Sequence, residues 1–290
     1  MRDNRYFQTT RAETRVIPIK ALSILLFLVM LISYSPCESQ EIAGYSMPLM
    51  GPAFGAPPRT FHDSKLVSIT FKTTPEALKK LVPKPMAPNP DNLVSVYFGF
   101  FNAPDYQSGE YLFKGDSYHE VGFVAPVTLA KQAGGYSLFL YLDKPGPMTS
   151  GREIWGFPKK DADIVMTDDN GTITLTMERL GAPLMKATFR RAEKVARLPG
   201  RAPRIRYNLK YIPSARKNAP PDVMQITSYV QDNTIKELYK GVATLELAGP
   251  SVDPLGTIPI LGIVKAEYMV IDGVVDYGDV VYDYLNQGTR

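Results

Sequence analysis

The sequence predicts a mainly β protein, an antiparallel barrel-like domain with a few short helices. Three observations carry this expectation. About ten short runs of apolar, β-branched and aromatic residues occupy most of the chain after residue 60, the signature of strands in closed or doubly packed sheets. Helical periodicity is scarce. The 290 residues include 25 Pro, 22 Gly, 17 Tyr and 13 Phe, a balance of turn formers and strand formers.

The first forty residues read differently from the rest. Arg2, Arg5, Arg11, Arg15 and Lys20 against Asp3 and Glu13 make a basic start of net +3, followed by twelve residues, 21–32, apolar except for Ser23. At about 1.5 Å per residue such a run is shorter than the roughly 20 residues a bilayer core requires. A basic segment, a short apolar segment and the polar stretch 33–40 match a secretory signal peptide or leader. The domain division is therefore 1–40 leader and 41–290 folded domain. The expected location is exported, periplasmic or secreted, if the leader is cleaved, and cytoplasmic or membrane-anchored if it is not. Removing 1–40 also removes Cys37, the one cysteine.

From residue 45 onward there is no linker, repeat or low-complexity block. A Pro- and Gly-rich loop (47–58) leads into a strand at 66–72. Thr73, Thr74, Pro75 and Glu76 then supply a helix start: a capping hydroxyl, a proline at the first helical position and an early carboxylate. The helix ends before Pro83. Strands are expected at 93–101, 118–129, 136–142, 172–178, 184–190, 207–212, 224–230, 242–247, 261–270 and 275–284. Asn170-Gly171 between two such runs marks a hairpin turn.

Composition excludes several classes. One Cys and two His leave no disulfide framework and no multi-His metal site. A net charge of +4 is too small to indicate nucleic acid. Residues 190–217 hold ten basic residues against Glu193 alone, a stripe read as a solvated loop with charged strand edges. Nucleotide, dinucleotide and hydrolase-elbow motifs are absent. His62 and His119 read as structural residues.

The chemistry concentrates in Gly151-Arg152-Glu153-Ile154-Trp155-Gly156-Phe157-Pro158-Lys159-Lys160, where an apolar approach precedes two lysines. With Pro48-Leu49, Pro52-Ala53-Phe54, Phe61-His62, Ala77-Leu78, Leu81-Val82-Pro83, Tyr141-Leu142-Asp143 and Val281-Tyr282-Asp283-Tyr284-Leu285, these motifs are collinear over nearly the whole of 47–285. In that order they resemble the acetoacetate decarboxylase family. The resemblance implies a β-barrel-rich fold, a homo-oligomer, a keto-acid substrate, and neither metal nor organic cofactor. It also implies a Schiff-base lysine at Lys159, a second cation at Lys160, an active-site carboxylate at Glu120, and pocket walls at Phe157 and Trp155. Two substrate-contacting positions depart from the family pattern: Ser64 stands where an Arg is usual, and Tyr97 where a Glu is usual. The expected reaction is decarboxylation of acetoacetate or a related β-keto acid. The alternatives are a pyruvate-using aldolase-dehydratase on the same lysine and a non-catalytic barrel that binds a small ligand. Neither nucleic acid nor membrane, beyond the leader, is an expected partner.

An amine attacks a ketone only when unprotonated. A free lysine with a pKa of about 10.4 is roughly 0.04% neutral at pH 7, and bringing it to about 7 takes some 4.6 kcal/mol. Adjacent lysines on a strand point to opposite faces, placing their amines ~8 Å apart. Their repulsion at an effective dielectric of ~20 is about 2 kcal/mol, less than half of the requirement. A dry site must supply the larger share.

Overall fold

The computed structural model describes residues 44–199 and 203–286, so the leader expected at 1–40 lies outside the described residues. The strand anticipated at 66–72 is the second half of a longer one, β1 (Arg59–Lys72). Its pleat sends alternate residues to opposite faces. Val67, Ile69 and Phe71 are buried in the core, whereas Leu66, Ser68 and Thr70 line an internal cavity. Helix α1 (Pro75–Leu81) follows; the Thr74 hydroxyl accepts from the Ala77 N–H at 3.2 Å, and Leu78 is buried. After the short β2 (Ala87–Pro88), β3 (Leu93–Phe101) repeats the two-faced pattern, with Val94, Val96 and Phe98 in the core and Ser95 and Tyr97 on the cavity.

A small hairpin, β4 (Tyr106–Ser108) and β5 (Tyr111–Phe113), precedes β6 (Tyr118–Leu129) and β7 (Gln132–Leu142). On β6 the core face carries Val121, Phe123, Ala125 and Val127, and the cavity face Glu120, Val124 and Pro126. Helix α2 (Pro145–Ser150), a π turn (Gly151–Trp155) and β8 (Lys159–Asp161) come next. β9 (Asp163–Asp169) and β10 (Thr172–Arg179) form the expected hairpin, with Asn170 at φ 49° and Gly171 at φ 86°. Positive φ at both positions is the twist-matched two-residue turn for which Asn-Gly is suited.

The chain continues with β11 (Ala182–Lys194), β12 (Arg204–Ile212), β13 (Val223–Leu247), β14 (Gly262–Val275) and β15 (Asp279–Asp283). The main sheet runs β12-β7-β6-β3-β1-β14-β13-β11-β10-β9, and β12 also pairs with β13. That second pairing brings seven strands round into a barrel-like ring. The β12–β7 seam is parallel and only two residue pairs long, Arg206 with Gly135 and Tyr207 with Tyr136, so the barrel is not strictly closed. The outer faces of the ring and the β9–β11 extension share one core, in which Ile173, Leu175, Met177 and Phe189 join the ring's buried residues. Each such side chain contributes on the order of 1.5–3 kcal/mol by leaving water.

Two features differ from the sequence expectation. The strands anticipated at 224–230 and 242–247 are one 25-residue strand, β13, which pairs in turn with β12, β14 and β11. Its middle, Gln231-Asp232-Asn233-Thr234, looks like a turn by composition, but Gln231 and Asn233 face the cavity and are tolerated there. β2, β4, β5 and β8 were not anticipated, and β9 was implied only as the first arm of the Asn170-Gly171 hairpin; charged residues in β8 and β9 mask the alternation.

Candidate active site

The cavity inside the ring has a volume of about 1130 Å³, at the upper end of what small-molecule sites enclose. Of the sequence candidates, Lys159, Glu120, Tyr97, Trp155 and Phe157 line it. Strand register explains how three of them meet. Glu120 on β6 stands opposite Leu142 of β7, and Lys159 on β8 stands opposite Leu140. Leu140 and Leu142 are two residues apart and share a face of β7, so Glu120 and Lys159 project to the same side. Tyr97 on β3 stands opposite Gly122 of β6, two residues beyond Glu120.

The result is a chain of contacts. Lys159 Nζ lies 3.0 Å from Glu120 Oε2, and the Tyr97 hydroxyl donates to Glu120 Oε1 at 2.7 Å. The Lys159–Glu120 approach is an ion pair whose angles fall outside hydrogen-bond geometry. The hydrogen bond from Nζ goes instead to the Pro147 carbonyl at 3.2 Å. Lys159 and Glu120 are 6% and 4% exposed, and removal of both charges from water is costly unless they stay paired. The Tyr118 and Phe157 rings lie 5.2 and 5.3 Å from Nζ. Burial pushes the Tyr97 phenol well above its usual range, and the neighbouring Glu120 adds to the rise. Tyr97 therefore remains a donor to Glu120 at any physiological pH.

Glycines make the geometry possible. A Cβ at position 122 would fall 2.3 Å from the Tyr97 ring, and one at 151 would fall 2.9 Å from Lys159 Cδ. Gly122 admits the phenol and Gly151 admits the lysine stem. The π turn ends at Gly156, in the left-handed region at φ 73°. Arg152 Nη1 donates to the Lys159 carbonyl at 3.0 Å, and Trp155 is fixed by its Nε1 donating to the Asp276 carbonyl at 2.8 Å. Phe157 packs against Trp155 and Tyr229, with ring centroids 5.9 and 5.4 Å apart.

Lys160 and Ser64 lie elsewhere. Lys160 points to the other face of β8, where its Nζ lies 2.8 Å from Asp253 Oδ1 and 2.5 Å from the Val252 carbonyl. Asp253 is buried and also takes Arg179 and Tyr141, each at 3.1 Å. The charge of Lys160 is thus answered by a carboxylate outside the cavity. Ser64 is buried, and its hydroxyl accepts from the Asn102 N–H at 3.1 Å. His119 pairs with Asp143 at 2.8 Å, and His62 is exposed.

Sequence reasoning missed Tyr118, Tyr229 and Arg206. The inward-facing Arg206 lay within a basic stripe read as solvated, and the signal that could have found it is the alternation Arg204-Ile205-Arg206-Tyr207 on a strand.

The chain is similar to known proteins along nearly its whole folded length. The family model for acetoacetate decarboxylase (ADC) matches residues 46–285. An acetoacetate decarboxylase of Burkholderia vietnamiensis is 36% identical over 252 residues, covering 84% of this chain and 96% of that one. A solved acetoacetate decarboxylase structure from Legionella pneumophila is 28% identical, with a TM-score of 0.71, and covers 86% of this chain and 98% of that one. The enduracididine biosynthesis enzyme MppR, solved with the condensation product of pyruvate and imidazole 4-carboxaldehyde, has the same fold at a TM-score of 0.71. It is 14% identical and covers 85% of this chain and 99% of that one.

Proposed function

We propose a Schiff-base decarboxylation for this chain, which belongs to the acetoacetate decarboxylase family. The substrate is acetoacetate or a related β-keto acid. The observation that carries the reading is the buried Lys159 amine 3.0 Å from Glu120 in a cavity walled by aromatic rings.

In this mechanism a proton passes from Nζ to Glu120 and leaves a neutral amine. Nζ attacks the ketone carbon, Glu120 hands that proton to the carbinolamine hydroxyl, water departs, and an iminium remains. The bond to the carboxylate then breaks; its electron pair flows into the iminium to give an enamine, and carbon dioxide leaves. Glu120, reprotonated from solvent, delivers a proton to the enamine carbon, a contribution of the kind typically worth ~10²–10⁴-fold. Hydrolysis frees the ketone and the lysine. Tyr97 holds Glu120 in place through these transfers. Nothing in the sequence calls for a metal or organic cofactor.

The test is trapping. The protein is incubated with acetoacetate, and separately with pyruvate, then reduced with borohydride, digested and mapped by fragmentation. The expected result is an acetone-derived isopropyl adduct on Lys159. An adduct on Lys160, or none with either acid, removes the central residue of the proposal. Faster accumulation of a pyruvate adduct turns the reaction towards aldol condensation. The domain division and export belong to the same proposal: a secreted, active protein that begins near residue 41 supports them, and loss of folding on removal of 1–40 counts against them.

A further inference from the structure

Arg206 is a half-buried cation inside the same cavity as Lys159. On β12 it stands across from Tyr229 of β13 and, on the other side, from Gly135 of β7. Its Nε donates to Gln231 Oε1 at 2.6 Å. A Cβ at position 135 would lie 2.4 Å from Arg206 Nη1, so this glycine makes the space in which the guanidinium sits. Among the described residues no carboxylate pairs with Arg206. A guanidinium fork held on one edge, with its remaining donors turned to a cavity, is suited to a planar anionic group.

The register sets its distance from the reacting lysine. Gly135, the partner of Arg206, and Leu140, the partner of Lys159, are five residues apart on β7. The β7 bulge at Leu138 takes up one of these, leaving four register steps, from Pro126 to Gly122 on β6, or ~13 Å at ~3.3 Å per residue; the guanidinium over Gly135 is therefore ~7–13 Å from Nζ, according to how far the lysine stem leans along the strand. The leaving carboxylate of a β-keto acid is bonded to the carbon next to the imine carbon, so it stays close to Nζ, and a longer chain is needed to span the rest of the gap to Arg206. Binding that carboxylate to a guanidinium would also stabilise the ground state and oppose its loss. Leu66, Val124, Leu140 and Ile271 give the cavity apolar walls.

We propose that Arg206, held by Gln231, binds a second, retained carboxylate at the far end of the substrate, so that the preferred substrate is a linear 3-oxodicarboxylic acid with an apolar spacer. This rests on the reading of Lys159 as the imine-forming residue. The product is a methyl-ketone monocarboxylate: the carboxylate beside the ketone leaves as carbon dioxide, a proton replaces it, and the distal carboxylate stays on Arg206.

The experiment compares kcat/KM for carbon dioxide release from 3-oxodicarboxylic acids of about six to ten carbons with that from the 3-oxo monocarboxylic acids of equal length. Acetoacetate trapping on Lys159 is run in parallel. The wild type is expected to prefer the dicarboxylic acid by about tenfold or more, the scale of one charge-assisted hydrogen-bonded pair. Arg206→Gln is expected to bring the ratio close to one, and Arg206→Lys to keep part of it. Should Arg206→Gln not fold, inhibition of the wild type by decanedioate and by decanoate gives the same answer, with the diacid expected to inhibit at about tenfold lower concentration. Equal rates and equal inhibition, with the Lys159 adduct present, overturn the role of Arg206 and leave the lysine reading intact. Absence of an adduct with every keto acid overturns both.

Discussion

Glu120 is shared: its Oε2 faces Lys159 Nζ at 3.0 Å while its Oε1 accepts from the Tyr97 hydroxyl at 2.7 Å. One carboxylate thus has a proton donor and a fixed anchor on different oxygens. Glu120→Gln keeps the volume and the contact with Tyr97 but cannot take the lysine proton. Turnover of the keto acid is expected to fall more than tenfold, with the far-UV circular dichroism spectrum unchanged. Unaltered turnover in a folded Glu120→Gln protein makes Glu120 a structural partner of Lys159 only.

Tyr97→Phe removes the anchor without opening a cavity, because the ring remains in the space that Gly122 leaves. The carboxylate then loses a hydrogen bond of the charged kind, worth about 1.5–3 kcal/mol. If Tyr97 positions Glu120 for proton return, kcat falls about tenfold while KM changes little. A rise in KM at constant kcat would place Tyr97 on the substrate instead.

How much of this was legible beforehand follows from where the signal resides. Lys159 and the apolar run before it are contiguous in sequence, and β1, β3 and β6 carry the alternation of a two-faced strand, so the barrel and its lysine could both be read. Tyr97 was visible only as a departure from a family pattern; its bond to Glu120 depends on β3–β6 register, which the chain does not state locally. Arg206 and β13 were misread for one physical reason. Polar residues that face an internal cavity look like surface by composition, and only the closure of the ring through β12 and β13 reveals that they are inside. Lys160 was paired with Lys159 by adjacency, yet the strand pleat separates them and Asp253, 93 positions away, answers its charge.

Gly151→Ala tests the positioning of the lysine from outside the reacting groups. The added methyl meets the Lys159 stem at 2.9 Å from Cδ and 3.0 Å from Cε, closer than carbon atoms pack. Either the stem or the π turn must shift, and misplacement by about 1 Å can cost ~10²-fold in rate. The expected outcome is a loss of turnover of tenfold or more, with a matching slowing of borohydride-trapped adduct formation on Lys159. Normal trapping with reduced turnover would place the defect after imine formation and count against the positioning role.

The pair Lys160–Asp253 is expected to act on stability rather than on the reaction. Asp253 is 1% exposed. Its burial alone would push the carboxyl up, but the hydrogen bonds from Lys160, Arg179 and Tyr141 outweigh this and hold it below the ordinary carboxylate range. A carboxyl with a lowered folded-state pKa stabilises the protein above its unfolded value of about 3.9, and that contribution disappears as pH falls through the lower folded value. Asp253→Asn should therefore cost about 3 kcal/mol near neutral pH, the scale of breaking a buried pair. Urea unfolding at pH 7 and near pH 3 checks the sign: the gap between wild type and Asp253→Asn should be wide at pH 7 and should narrow in acid. A gap that stays constant would mean that the cost comes from packing rather than from the charge. Lys160→Ala removes one of the two cations on Asp253, so a smaller loss is expected, with Lys159 still trapped by borohydride. If trapping is lost along with stability, Lys160 belongs to the reaction after all.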